Sequence, residues 1–180
     1  MNKIDNRILA VDPSGTGTTG IYYQNGKLAK FSQFTNKDWK EHFEFILSIV
    51  KGYEPNLLLF ENSNYVSLRG KDMTYLWKLL GAIEILPTGF TDLQTMAIPV
   101  DQVKRLRSKL LKGEKIVEGI SYEKGRGKGW HYHGKKISTH ELDAYLVYWL
   151  WNEKEQNNKL IDKSIGEIKN KQELKQKYYE

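Results

Sequence analysis

The run Leu57-Leu-Leu-Phe60 most constrains what this chain can fold into. Four consecutive large apolar side chains in one extended segment put apolar groups on both faces of a strand. Such a strand belongs at the centre of a sheet that is covered on both sides. A second run, Ile8-Leu-Ala-Val11, also reads as a strand. Each run is closed by a carboxylate, Asp12 after the first and Glu61 after the second. A charge at the end of a buried strand is poorly explained by packing, because burying it costs several kcal/mol or more unless it is paired or binds a cation.

The segments between these runs define the expected elements. Pro13–Gly20 reads as a turn leading into a strand at Ile21-Tyr-Tyr23. Asn25-Gly26 is a strong two-residue hairpin signal and turns the chain into a third strand, Lys27–Phe34. A helix is expected from Lys37 to Lys51, capped by Thr35 or Asn36 and ended by Gly52. Trp39, Phe43, Ile46, Leu47 and Val50 lie on one face of it. A second helix follows from Lys71 to Leu86, where Pro87 stops it. Thr91–Ile98 reads as a short strand, Val100–Leu111 as a basic helix, and 123–136 as a loop rich in Gly, Lys and aromatics. Ile116–Ile120 is compatible with a helix, while Ile120-Ser-Tyr-Glu123 alternates like a strand. Ser138 and Glu141 form a capping box for a last helix, which gives Glu141 a local role and places His140 and Asp143 on one face. Antiparallel strands first, then a helix, a central strand and further helices make a mixed α/β sheet with helices on its faces. The division expected is one domain over 1–152 and a charged helical extension over 153–180.

Composition narrows the chemistry. The 180 residues include no cysteine, which excludes disulfides, zinc–thiolate sites and thiol nucleophiles. No apolar run reaches membrane-spanning length, and the first residues carry no apolar signal region, so a cytoplasmic protein is expected. The net charge of +6 is uneven. Residues 104–136 hold eleven Lys and Arg against three Glu, so the rest of the chain nets −2. A concentrated basic stretch suits either a phosphate-backbone binder or a solvated lysine-rich surface. Pro13–Gly20 is not a phosphate-binding Walker loop, since no Gly-Lys-Ser/Thr follows it. It also looks like the phosphate hairpin of actin-like ATPases, but those enclose a nucleotide between two such domains, so no nucleotide cofactor is expected. His131 and His133 lack the third partner that a zinc site requires.

Asp12, Glu61, His140 and Asp143 thus form a set of three carboxylates and an imidazole, drawn from two strand ends and one helix. Such a set can hold two divalent cations and hydrolyse a phosphodiester. Over residues 8–150 the chain resembles the RuvC-type Holliday junction resolvases, a family with the RNase H-like fold. Ile8-Leu-Ala-Val-Asp12-Pro-Ser-Gly looks like the family's first strand and first acid. Leu57–Glu61 is similar to the strand with the second acid, and Leu76-Trp-Lys-Leu-Leu-Gly-Ala-Ile83 to the helix after it. Gln102-Val-Lys104 and Glu114-Lys115 resemble its two basic motifs, and His140-Glu-Leu-Asp-Ala144 its last motif. The spread of these motifs is similar to compact bacteriophage or low-GC bacterial versions, which would place the protein in a bacterial or host cytoplasm.

The resemblance implies a homodimeric endonuclease acting on four-way or branched DNA and dependent on Mg²⁺, with Mn²⁺ as a substitute and two ions per site. Asp12, Glu61, His140 and Asp143 would be the metal ligands and catalytic groups, with His140 either a ligand of the second ion or the base. Lys104 and Lys115 would act on the phosphate. Tyr65, Arg69, Lys71, Lys104, Arg105, Arg107, Lys115, Arg126, Lys128 and Trp130 are the expected DNA contacts, with Tyr65 placed to stack at the branch. The alternatives are a nuclease of the same fold acting on flaps, forks or RNA–DNA hybrid, and a non-catalytic binder of branched DNA. The segment 124–136 and the tail beyond Trp151 depart from the family pattern.

Overall fold

The computed structural model describes residues 7–62 and 71–179, with side chains over 7–62 and 73–162. The chain divides into two compact units, 1–148 and 149–180. In the first, strands β1 (Arg7–Asp12), β2 (Thr18–Asn25) and β3 (Leu28–Thr35) form an antiparallel meander, followed by helix α1 (Trp39–Tyr53). Strand β4 (Leu57–Asn62), helix α2 (Lys71–Glu84), a 3-10 turn (Leu86–Gly89), strand β5 (Gln94–Pro99) and helix α3 (Val100–Lys112) come next. The sheet order is β3-β2-β1-β4-β5, with β4 parallel to both β1 and β5. This is the mixed RNase H-like α/β sheet that the sequence led us to expect.

The two apolar runs lie side by side at the centre of the sheet, which explains their lack of polar alternation. Leu9, Val11, Leu58 and Phe60 point to one face and form a core with Ile46 and Val50 of α1 and Leu79, Leu80 and Ile83 of α2. The alternate residues Ile8, Ala10 and Leu59 are equally buried on the opposite face. There the Tyr22 ring packs edge-on against Tyr145, 5.0 Å between centroids. The Asn25-Gly26 signal does produce a two-residue hairpin, but Asn25 pairs with Leu28, so Gly26 and Lys27 form the turn. Gly26 has φ 55°, the first-position requirement of a type II′ turn.

Some local expectations shift. Helix α1 is capped by Asp38, whose carboxylate accepts from Lys40 N at 3.0 Å, rather than by Thr35 or Asn36. Asn36 instead accepts from the Asp38 backbone N–H. The helix runs past Gly52 and ends at Glu54, which adopts φ 45°. The segment 123–136, expected to be a loop, belongs to a second antiparallel sheet of β6 (Ile120–Glu123), β7 (Gly129–Tyr132) and β8 (Lys135–Ile137). Its alternation is short but sufficient: Tyr122 pairs with Trp130 and Trp130 with Ile137 on one face. Two consecutive positive φ angles, at His133 and Gly134, close the β7–β8 hairpin.

The last helical stretch, α4, spans Thr139–Tyr179, and its residues up to Tyr148 belong to the first unit. The second unit is helical to Tyr179, with Leu160 and Ile161 exposed. Among the described residues no helix is long and apolar enough to cross a membrane.

Candidate active site

Parallel pairing of β1 and β4 brings the two strand-end acids together. Val11 is opposite Phe60, so Asp12 and Glu61 follow at adjacent strand ends. Both share the strand face of Ala10 and Leu59, away from the α1–α2 core. Antiparallel pairing sets Gly20 of β2 beside Asp12 on the other side.

Gly20 admits α4 to this edge. A Cβ at residue 20 would lie 2.0 Å from the carbonyl oxygen of His140 and 2.3 Å from its carbonyl carbon. Only a hydrogen fits there, so the first turn of α4 rests directly on the sheet beside Asp12. The capping box holds that turn: Ser138 N donates to Glu141 Oε2 at 2.8 Å, and Glu141 N donates to Ser138 Oγ at 3.1 Å. Glu141 is thereby occupied as a cap. His140 Nδ1 lies 2.8 Å from Asp12 Oδ2. With Asp12 ionised, Nδ1 donates this bond, which leaves Nε2 as the basic nitrogen of the neutral ring. Asp143, one turn along, is 7% exposed. Its Oδ2 accepts from Arg107 Nη1 of α3, while its buried Oδ1 has no partner.

Burial at this sheet edge raises the proton affinity of all three carboxylates. Burial, followed by the charges of Asp12 and Asp143, pushes Glu61 up to about 8. Burial pushes Asp143 up to about 6 against the pull of Arg107. Burial also raises Asp12, although its hydrogen bond to His140 opposes the rise. The same hydrogen bond raises His140. Lys104 and Arg107 of α3 supply the nearby positive charge that favours the ionised acids.

Among the described residues no three His, Asp or Glu side chains converge as a ready-made metal cage. Asp143 is turned onto Arg107 and Asp12 onto His140. The donor chemistry nevertheless suits hard divalent cations, since it offers carboxylate oxygens, one of them buried and unbonded.

The other sequence candidates are spread over several surfaces. Lys104 and Arg105 are exposed on α3, where Arg105 lies 3.4 Å from Asp101. Arg107 faces the cluster through its ion pair with Asp143. Lys115 is half-buried in the segment after α3. Arg126 and Lys128 are exposed in the turn between β6 and β7. Trp130 departs from its expected role as a base-stacking group: it is buried, with its ring 4.8 Å from that of Tyr122. Tyr65 and Arg69 lie outside the described residues, and so does the side chain of Lys71, at the start of α2. A cleft lined by Arg7, Glu54, Pro55 and Asp92 sits at the opposite ends of the strands from the acids.

Sequence reasoning missed three contributors. Gly20 looked like one more turn glycine, and only the β1–β2 register reveals its contact with α4. The Arg107–Asp143 pair joins residues 36 apart with no local signature. Thr19 and His42 are both fully buried. His42 Nε2 lies 3.0 Å from the Asn36 carbonyl, an acceptor, so Nε2 carries the proton and Nδ1 accepts from Thr19 Oγ1 at 2.8 Å. Thr19 Oγ1 in turn accepts from Ser14 N at 3.0 Å, which ties down the turn after Asp12.

The sequence matches no protein-family model, and no curated protein is similar enough to it to count as a match. Solved structures with a similar fold include Thermus thermophilus RuvC, 18% identical over 78% of this chain and 89% of that one, TM-score 0.47. T. thermophilus RuvC in complex with a Holliday junction substrate is 14% identical over 78% and 88%, TM-score 0.46. The yeast mitochondrial Holliday junction resolvase Ydc2 is 11% identical over 79% and 76%, TM-score 0.47. At these values the likenesses carry no argument about activity, and the fold assignment stands on strand order and register.

Proposed function

We propose that this chain is a divalent-metal-dependent, structure-selective DNA endonuclease that resolves four-way junctions. The observation that carries the reading is the placement of Asp12, Glu61 and Asp143 at one sheet edge, where burial, joined by their neighbours' charges at Glu61 and Asp143, disfavours their ionised forms. Two divalent ions held by these acids would let them ionise together and would polarise a phosphate.

The chain's own groups do the rest. Asp12 fixes the His140 ring so that Nε2 can take a proton from the water that attacks phosphorus. The 3′-oxygen leaves and is protonated, giving 5′-phosphate and 3′-hydroxyl ends. Lys104, exposed beside the acids, is suited to meet the charge that develops on the phosphate. Arg126 and Lys128, with Lys124 beside them, offer backbone contacts away from the chemistry, which suits recognition by shape rather than by base sequence. A four-way junction needs two nicks, and a twofold dimer supplies two equivalent sites.

The test incubates the protein with Mg²⁺ and a labelled immobile four-way junction, with linear duplex, flap, fork and RNA–DNA hybrid in parallel and Asp12→Asn as control. Paired symmetric nicks in the junction, absent in Asp12→Asn, are expected. Preferential cutting of flaps, forks or hybrid would replace the substrate assignment. Junction binding without cutting in Mg²⁺ or Mn²⁺ would replace the nuclease reading with that of a binding protein.

A further inference from the structure

Arg107 is expected from the sequence as a DNA contact, but the structure sets it on Asp143 inside the acid cluster. It donates to Asp143 Oδ2, yet its own side chain keeps 27% of its surface exposed while that of Asp143 keeps 10%. Asp143 Oδ1 stays buried and unbonded. A pair built for stability would engage both oxygens in a fork, because a half-satisfied buried carboxylate is costly. Arg107 is also close enough to favour the ionised forms of Asp12 and Glu61 and to oppose protonation of His140. Its charge therefore acts on all four members of the cluster and occupies an oxygen that a divalent ion would ligate.

We propose that Arg107 is a displaceable counter-ion, which holds Asp143 in the metal-free protein, yields Oδ2 to a divalent cation, and is then free to meet a DNA phosphate. The inference rests on the metal-site reading above. A guanidinium and a divalent ion on the same carboxylate oxygen repel strongly at short range, so binding of one disfavours the other. The partial exposure of Arg107 gives its long side chain a route outward, and its planar fork suits phosphate. Arg107 would thus keep the acids ordered before the ion arrives and contribute to substrate binding afterwards.

The test measures Mn²⁺ binding to the full chain without DNA, from loss of the free-ion EPR signal. It compares the unmodified protein with Arg107→Gln, Arg107→Lys and Asp143→Asn. Asp143→Asn identifies the site by abolishing it. Arg107→Gln is expected to bind Mn²⁺ about tenfold more tightly than the unmodified protein, and Arg107→Lys within about twofold of it, since charge sets the competition. A second readout is the rise in thermal midpoint on adding Mn²⁺, expected to be larger for Arg107→Gln even though that variant starts lower. Equal or weaker Mn²⁺ binding by Arg107→Gln would make Arg107 a structural clasp and overturn the inference alone. Absence in the unmodified protein of any Mn²⁺ site sensitive to Asp143→Asn would overturn the metal-site reading and this inference with it.

Discussion

Replacing Glu61 with glutamine should stabilise the metal-free protein while removing its activity. Burial and the charges of Asp12 and Asp143 push the Glu61 carboxyl from 4.5 up to about 8. A carboxyl with a raised folded value binds its proton more tightly in the folded state, so its contribution is most favourable below the unfolded value. Between pH 4.5 and pH 8 the unfolded chain has released a proton that the folded chain retains, and stability falls as pH rises. At about 1.4 kcal/mol per pH unit, the loss accumulated by pH 7 is about 3 kcal/mol. Glutamine has nearly the same shape and no charge, so Glu61→Gln escapes this cost. Urea unfolding in EDTA at pH 4.5 and pH 7 checks it. The variant should match the unmodified protein at the lower pH and exceed it by about 3 kcal/mol at the higher, roughly 6–12 °C in thermal midpoint. Adding Mg²⁺ should narrow the gap by stabilising the unmodified protein more, since ion binding favours the folded state. A variant that is less stable at pH 7, or a difference that does not change with pH, would refute the picture of a Glu61 carboxyl whose ionised form is disfavoured by burial beside two other acids.

Three further outcomes follow from the same geometry. Gly20→Ala places a methyl group into the His140 carbonyl, which backbone cannot yield cheaply. Cleavage of the four-way junction should fall about 100-fold or more with the far-UV CD spectrum retained, because angstrom-scale displacement of a reacting group costs about that much. Thr19→Val leaves the buried Nδ1 of His42 and the N–H of Ser14 unpaired, and urea unfolding should show a loss of about 2–4 kcal/mol that Thr19→Ser largely restores. Replacing Lys124, Arg126 and Lys128 together with glutamine should reduce the slope of log affinity for junction DNA against log salt by about two to three, as each phosphate contact contributes about 0.9.

The chain's local signals carried much of this protein. Leu57–Phe60 and Ile8–Val11 demanded a doubly covered sheet, because consecutive apolar residues in a strand admit no solvent face. The Ser138–Glu141 box was legible because both partners of a cap lie within four residues. The acids at 12 and 61 stood out because charge at the end of a buried strand needs a reason, and His140 and Asp143 because the capping box sets them on one face of the last helix. The tertiary structure decided what lies between distant segments. The parallel register of β1 and β4 sets Asp12 beside Glu61, and the missing side chain of Gly20 admits α4 to them. The direction of Asp143, onto Arg107 rather than its neighbours, arises from the packing of α3 on the sheet and α4, which no spacing rule encodes. The segment 123–136 misled for the opposite reason. Its strands are only three or four residues long, and glycines and lysines obscure an alternation that becomes decisive once Tyr132 packs against Tyr22, Phe31 and Tyr145 of the larger sheet and α4.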